Sequence, residues 1–346
     1  MPAAFSARLV AWQRACGRHD LPWQQNRDPY AVWVSEIMLQ QTQVAAVVPY
    51  YQRFMARFPT LAALAGARQD AVLAAWSGLG YYARARHLHN AARTIVDTHG
   101  GAFPREFDAI LALPGIGRST AAAISVFAFG ARRAILDGNV KRVLCRWRAI
   151  AGHPGTRAVE KQLWALAESL LPENEVERHT QGLMDLGATV CTRARPDCAR
   201  CPLAEDCVAH LTGRTGEFPA ARPQKPLPTR STSLLLLFHQ GDILLEKRPP
   251  AGIWGGLWSL PEGAPHTDPR AAAENLGLVV KSCRPLEPFT HTFSHFHLAI
   301  APWRLDVDPA HRAEEAGRIW VALDDALAAA LPAPVRKLLA LSQEAP

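Results

Sequence analysis

Up to residue 212 the apolar positions recur at three- and four-residue steps in Ala-rich segments, the period of amphipathic helices. The texture then changes. Gly213–Arg230, GRTGEFPAARPQKPLPTR, replaces periodic apolar positions with Pro and basic residues and reads as a linker. Beyond it, Ser233–His239 and Ile243–Lys247 are expected to be strands around a Gln240-Gly241-Asp242 hairpin turn. Thr292–Pro302 and Ile319–Leu323 are two further expected strands, and Pro269–Leu276 and Asp324–Leu331 two expected helices. The pattern predicts an all-α domain over 1–212, a linker over 213–230 and an α+β domain over 231–346. A chain of 346 residues suits more than one domain. No apolar run approaches the length of a bilayer span, and Leu234 to Phe238 is strand-sized, so no membrane partner is expected.

Three segments of the helical half carry candidate chemistry. Asp28-Pro29 is an N-cap followed by Pro at the first helical position, opening a helix expected to run through Gln43. On that helix Glu36, Gln40 and Gln43 stack at i, i+4 and i+7. Trp33, Ile37, Met38 and Leu39 surround Glu36, and a carboxyl in such company resists ionisation and serves as a proton donor. The plainer reading is a solvent-facing polar stripe, but the opposite faces are apolar too. Next, Leu113-Pro114-Gly115-Ile116-Gly117-Arg118-Ser119-Thr120 joins two expected helices, Phe107–Ala112 and Ser119–Phe129. Gly115 and Gly117 permit a tight turn, and the free N–H groups of the second helix suit a phosphate oxygen. The alternative is an ordinary corner between helices. In Leu136-Asp137-Gly138-Asn139-Val140-Lys141-Arg142, Asp-Gly makes a turn and Asn139 is expected to cap the next helix.

Cys191, Cys198, Cys201 and Cys207 follow the spacing C-x6-C-x2-C-x5-C. Gathered thiolates hold an iron–sulfur cluster or a structural zinc. Zinc sites usually pair two C-x2-C units or mix Cys with His; one such unit flanked by single cysteines leans to the cluster. Disulfides are the third reading. The N-terminus lacks a secretory signal pattern, so a reducing cytoplasm is expected, where disulfides are disfavoured. Arg193, Arg195 and Arg200 lie between the ligands, and the chain carries net charge +7. That charge fits a nucleic-acid partner without proving one.

Taken in order, Glu36-x-x-Leu39-Gln40-Gln41-Thr42, Gly78-Leu79-Gly80-Tyr81-Tyr82-Ala83-Arg84-Ala85, LPGIGRST, ILDGNVKRVL and the four cysteines resemble the helix-hairpin-helix glycosylase superfamily, and within it the MutY-type adenine DNA glycosylases. The resemblance covers essentially the whole chain. It implies a helix-hairpin-helix glycosylase domain with a 4Fe-4S cluster loop and a C-terminal Nudix-like domain. It implies a monomer acting on double-stranded DNA that holds adenine opposite 8-oxoguanine or G. Glu36 would be the acid, Asp137 the stabiliser of the sugar cation, and Asn139 would orient the site. Leu79, Tyr81 or Tyr82 would wedge into the stack vacated by a flipped base. Gln41 would wedge beside the 8-oxoguanine strand, Thr42 would contact the DNA, and Gly115 and Gly117 would grip backbone. Ser119 stands where endonuclease III relatives carry a Schiff-base Lys, so base excision without strand cleavage is implied. Lys141 is near enough in sequence to trap an abasic sugar incidentally.

Gly256 to Leu278 fits the register of a Nudix box, but Ala271 and Asn275 replace two of its carboxylates. A Mg²⁺ site needs its oxygen ligands, so nucleotide hydrolysis is expected to be lost and the fold kept. His291-Thr292-Phe293-Ser294-His295-Phe296-His297 resembles the strand with which this family senses 8-oxoguanine. Ser294 would bond the lesion's edge and His295 a phosphate or base edge. Strand alternation alone would put Phe293, His295 and His297 on one face. A thymine or uracil mismatch glycosylase, a non-catalytic damage sensor and a Nudix hydrolase are the competing readings.

Overall fold

The structure, a computed structural model, describes residues 2–222, 226–265, 267–309 and 317–344. It divides into two compact units that are not contiguous in sequence. The first is Met1–Gly66 with His87–Pro223, and the second is Ala67–Arg86 with Gln224–Pro346. The sequence reading runs the helical domain unbroken to 212. In the structure a 20-residue piece of that stretch, Ala67–Arg86, packs with the second unit instead.

The helices in chain order are α1 Pro2–Cys16, α2 Pro29–Leu39, α3 Val44–Arg57, α4 Leu61–Ala65, α5 Gln69–Trp76, α6 Ala83–His99, α7 Phe107–Leu111, α8 Arg118–Phe129, α9 Gly138–Arg148, α10 Arg157–Ser169, α11 Val176–Thr189 and α12 Val208–Leu211. Of these, α5 and the start of α6 fall in the second unit. In the first unit, Phe5 and Leu9 of α1 pack with Leu144 and Trp147 of α9, Leu163 of α10 and Leu186 of α11. Phe5 and Trp147 meet ring to ring at 4.5 Å. Truncating a buried aromatic of this kind typically costs ~3–5 kcal/mol, so this contact holds α1 against the end of α9.

Two local expectations are corrected. Asp28 caps α2 as expected, accepting the Tyr30 N–H at 3.1 Å. The helix, however, stops at Leu39 and does not reach Gln43. Gln40 leaves helical geometry and Gln41 takes φ 60°, so Gln40 and Gln43 do not continue the face of Glu36. The Gln40 amide donates instead to Thr120 Oγ1 at 3.3 Å, a tertiary bond that no helical period reveals. At α9 the cap is Asp137, not Asn139. Asp137 accepts the Val140 N–H at 2.7 Å, while Asn139 sits inside the first turn.

The second unit holds a mixed sheet in the order β3-β2-β1-β7-β5. Its strands are β1 Thr229–His239, β2 Asp242–Lys247, β3 Trp258–Ser259, β4 Glu262–Gly263, β5 Leu278–Pro285, β6 Phe289–Thr292, β7 His297–Pro309 and β8 Arg318–Ala322. Strands β1 and β7 run parallel, with Thr229 opposite His297, and β4, β6 and β8 pair with β1, β7 and β2. The β1–β2 hairpin turns at Gln240 (φ 49°) and Gly241 (φ 92°), the two left-handed positions such a turn demands. Leu235, Leu237, Leu244, Leu305 and Val307 form the core beneath the sheet, beside α13 Pro269–Glu274. Helices α14 Leu323–Ala328 and α15 Ala333–Glu344 complete the unit.

The expected strand Thr292–Pro302 is also corrected. Residues 293–296 form a turn between β6 and β7, closed by the Phe293 N–H donating to the Phe296 carbonyl at 2.9 Å. The rings of Phe293 and Phe296 stack at 4.6 Å, which a flat strand would not allow. Ser294 and His295 therefore sit exposed at a turn tip rather than on alternating strand faces. Among the described residues, no helix is long and apolar enough to cross a membrane.

Candidate active site

A cleft of about 1560 Å³ opens in the first unit, lined by Glu36, Gln41, Thr42, Ser119, Asp137 and Asn139 among others. Helix α2 delivers Glu36 and the start of α9 delivers Asp137. Among the described residues no donor reaches the Glu36 carboxyl, and its pKa is pushed up to about 8, first by burial and then by the nearby Asp137 charge. Burial also raises Asp137, but the Val140 N–H, the Asn139 amide and the Arg142 charge all oppose that rise. Asn139 Nδ2 reaches Asp137 Oδ2 at 3.3 Å. The two carboxyls thus differ in kind: Asp137 has donors fixed on it, and among the described residues Glu36 has none. An acceptor held by donors is the better anion, so a single shared proton belongs on Glu36.

Arg142 and Gly187 escaped the sequence reading. Arg142 donates from Nη2 to Asn139 Oδ1 at 2.7 Å and to the Gly187 carbonyl at 2.6 Å, and from Nε to the Cys191 carbonyl at 2.8 Å. It joins the acid-bearing turn to the first cysteine. A Cβ on Gly187 would stand 2.6 Å from the Asn139 Cβ, so only glycine lets α11 approach α9 this closely. A glycine inside an otherwise helical pattern costs ~1 kcal/mol, and it was the signal available in the sequence.

All four cysteines line one cavity with Arg146 and Trp147. Arg146 Nη1 lies 3.4 Å from Cys191 Sγ, and its other donors hold the Thr192, Arg193 and Phe218 carbonyls. Burial and neighbouring thiol charge push Cys198, Cys201 and Cys207 up, Cys201 to about 12. Thiols that resist ionising together suit a bound cationic centre that would take them as thiolates. Among the described residues, no group of three or more His, Cys, Asp or Glu closes on a single metal ion.

The remaining candidates fall in several places. Gln41 and Thr42 line the cleft from the turn after α2. Ser119 also lines it, and its hydroxyl accepts the Leu136 N–H at 3.0 Å, fixing the approach to Asp137. Gly115 and Gly117 are both exposed before α8, with Gly117 at its cap position. The Lys141 ammonium is held by Glu160 at 2.6 Å and does not line the cleft. Leu79, Tyr81 and Tyr82 belong to the second unit. There Leu79 is buried and Tyr81 is 53 % exposed. Ser294 and His295 share the exposed β6–β7 turn, with Ser294 Oγ 3.4 Å from His295 Nδ1.

Residues 34–169 match the HhH-GPD superfamily of base excision DNA repair proteins, and residues 233–341 match the NUDIX domain. An adenine DNA glycosylase of Buchnera aphidicola (subsp. Acyrthosiphon pisum) is 37 % identical over 97 % of this chain and 96 % of its own length. The chain belongs to the adenine DNA glycosylase family. The human adenine DNA glycosylase is 36 % identical over 88 % of this chain and 67 % of its own. Among solved structures, a thermostable thymine-DNA glycosylase superposes with TM-score 0.54 at 30 % identity. It covers 61 % of this chain and 97 % of that one, so it carries no counterpart of the rest. The helical fold is therefore shared between glycosylases of different bases, whereas the match along the whole chain is to adenine DNA glycosylases.

Within this adenine DNA glycosylase the hairpin turn has a sharp structural test. Gly115 has φ +79°, and a Cβ there would sit 2.6 Å from the His87 Cβ. Gly115→Ala thus meets both a left-handed backbone and a close contact, and is expected to destabilise the fold by ~1–3 kcal/mol. Thermal unfolding of the variant checks this; an unchanged midpoint would show that the turn relaxes freely.

Proposed function

We propose that this glycosylase removes adenine from pairs with 8-oxoguanine or G in duplex DNA and leaves an abasic site. The observation that carries the reading is the unlike pair of carboxyls in the cleft: Glu36 raised to about 8 without hydrogen-bond donors, beside Asp137 with donors fixed on it. Adenine inside a duplex is out of reach and must be flipped into the cleft. It leaves poorly as an anion, so Glu36 protonates N7. The C1′–N9 bond then breaks toward an oxocarbenium-like sugar. Asp137 stabilises that cation directly or through a transient covalent adduct, and Asn139 keeps its carboxylate aimed. Water completes the hydrolysis. Ser119 offers no amine and Lys141 is engaged by Glu160, which supports a monofunctional glycosylase without a built-in lyase step.

Cys191, Cys198, Cys201 and Cys207 are the residues that would hold a 4Fe-4S cluster. A single zinc site usually pairs two C-x2-C units or mixes Cys with His; one C-x2-C unit flanked by single cysteines, all four lining one cavity, favours the cluster. When bound, the cluster would lend its charge and rigidity to the loop that presents Arg193, Arg195 and Arg200, all exposed, to phosphates. Exposed Gly115 and Gly117 would offer backbone N–H groups to another phosphate. Tyr81 would enter the base stack. Ser294 and His295 would read the opposing 8-oxoguanine from their turn. On this reading the enzyme works as a monomer in the cytoplasm, associated with the nucleoid when on DNA.

Duplexes holding A opposite 8-oxoguanine, G or T, incubated with the protein and then treated with alkali, test the reading. Cleavage at A is expected fastest opposite 8-oxoguanine and slowest opposite T. Cleavage at T in a T·G duplex instead would favour the thymine-glycosylase alternative. The raised Glu36 pKa adds a pH expectation. The reactive form is protonated, so the single-turnover rate should hold at neutral pH and fall about tenfold per pH unit above about 8. A rate that stays flat through pH 9 would remove Glu36 as the acid.

A further inference from the structure

The turn that carries Tyr81 is built almost wholly from left-handed residues: Gly78 at φ 103°, Gly80 at 72° and Tyr81 itself at 49°. A tyrosine rarely adopts that conformation, and it persists only where its surroundings over-determine it. Here they do so from two sides. Inside the turn, Arg84 donates to the Leu79 and Gly80 carbonyls at 3.3 and 3.2 Å, and the Trp76 indole donates to the Gly80 carbonyl at 3.2 Å. On the outside, the hydroxyls of Ser77 and Tyr82 both reach the Leu331 carbonyl, at 3.4 and 3.2 Å. Tyr82 also accepts the Gly78 N–H at 3.3 Å. Arg336 of α15 donates to Ser77 Oγ at 3.1 Å and to the Ala329 carbonyl at 3.0 Å. The turn is thus tied to the segment that follows α14 and to α15, both in the second unit. Tyr81 is the aromatic among the exposed large apolar side chains of the described residues.

We infer that Tyr82, Ser77 and Arg336 are positioning residues that clamp the Tyr81 turn to the C-terminal domain, so that this domain presents the stacking ring to the duplex. The inference rests on the reading above that Tyr81 enters the base stack. Tyr82, one of the three wedge candidates, is then the hinge-pin of the turn rather than the wedge. The physical reason is preorganisation: a ring held in place before binding loses less freedom when a base stacks on it.

The test uses the full chain with Tyr82→Phe and Arg336→Gln, each alone and each combined with Tyr81→Ala. The readouts are duplex affinity, single-turnover adenine release, and the emission of 2-aminopurine placed beside the target pair, which reports intrusion into the stack. Each single variant is expected to weaken duplex binding about three- to ten-fold, the usual worth of one hydrogen bond, and to reduce the 2-aminopurine response. In the Tyr81→Ala background the same changes should add less than two-fold, because the clamp acts through that ring. Equal losses with and without the Tyr81 side chain would overturn the inference and mark the contacts as merely structural. So would the absence of any loss in the single variants. If wild type itself fails to release adenine, the proposed function fails instead, and the 2-aminopurine arm still decides the clamp.

Discussion

Glu36→Gln is expected to slow adenine release by ~10²–10⁴ while duplex affinity stays within a few-fold of wild type, because general acid catalysis is commonly worth that much. The amide keeps the shape of the side chain and loses only the transferable proton. Asp137→Asn should be comparably damaging, since the amide offers no negative charge to the sugar cation. It also puts an N–H where an acceptor receives Val140 and Asn139. Stability provides an independent check on Glu36. Its folded pKa of about 8 lies above the ordinary carboxyl value of 4.5. Between those limits the folded state binds the extra proton, so Glu36 favours folding fully below about pH 4.5, and that contribution is lost as pH rises through about 8. Glu36→Gln should flatten this slope, leaving the variant less sensitive than wild type to alkaline pH. Single-turnover rates and melting curves across pH 5–9 read both effects. A variant with near-normal release would sink the assignment of the acid.

Cys198→Ala should have the second-largest effect. The purified wild-type protein is expected to be brown, with broad absorption at the violet end and iron and sulfide in equal amounts. Removing one of four ligands should bleach it and loosen the loop between Cys191 and Cys207. That loop presents Arg193, Arg195 and Arg200, and each phosphate contact contributes about −0.9 to the slope of log affinity against log salt. The variant should therefore bind duplex at least ~10-fold more weakly near 0.1 M salt, with a slope shallower by up to about three contacts. Damage should also reach the chemistry, since Arg142 bonds both the Cys191 carbonyl and Asn139. A fully active, colourless wild-type protein holding stoichiometric zinc would refute the cluster.

Much of this protein is written in local sequence. The switch from a helical to a strand period separates the two textures, and the Asp28-Pro29 cap, the hairpin glycines and the cysteine spacing each stand on residues close together in the chain. Local rules serve there because caps, turns and ligand loops are decided within a few residues. Glu36 was legible because its own helix supplies its apolar neighbours, and Asp137 because Asp-Gly marks a turn. Other features needed the folded chain. Helix α2 ends at Leu39 because Gln40 bonds Thr120, 80 residues away. Asn139 is held inside the first turn by Arg142, which the Gly187 and Cys191 carbonyls, 45 and 49 residues away, fix in place. The expected strand through Ser294 breaks because Phe293 and Phe296 stack across a turn. The 67–86 segment looks helical and reads as part of the first domain, yet packs with residues beyond 224. Each is a long-range or side-chain contact whose energy exceeds a local propensity of well under ~1 kcal/mol per residue, so the period of the sequence cannot announce it.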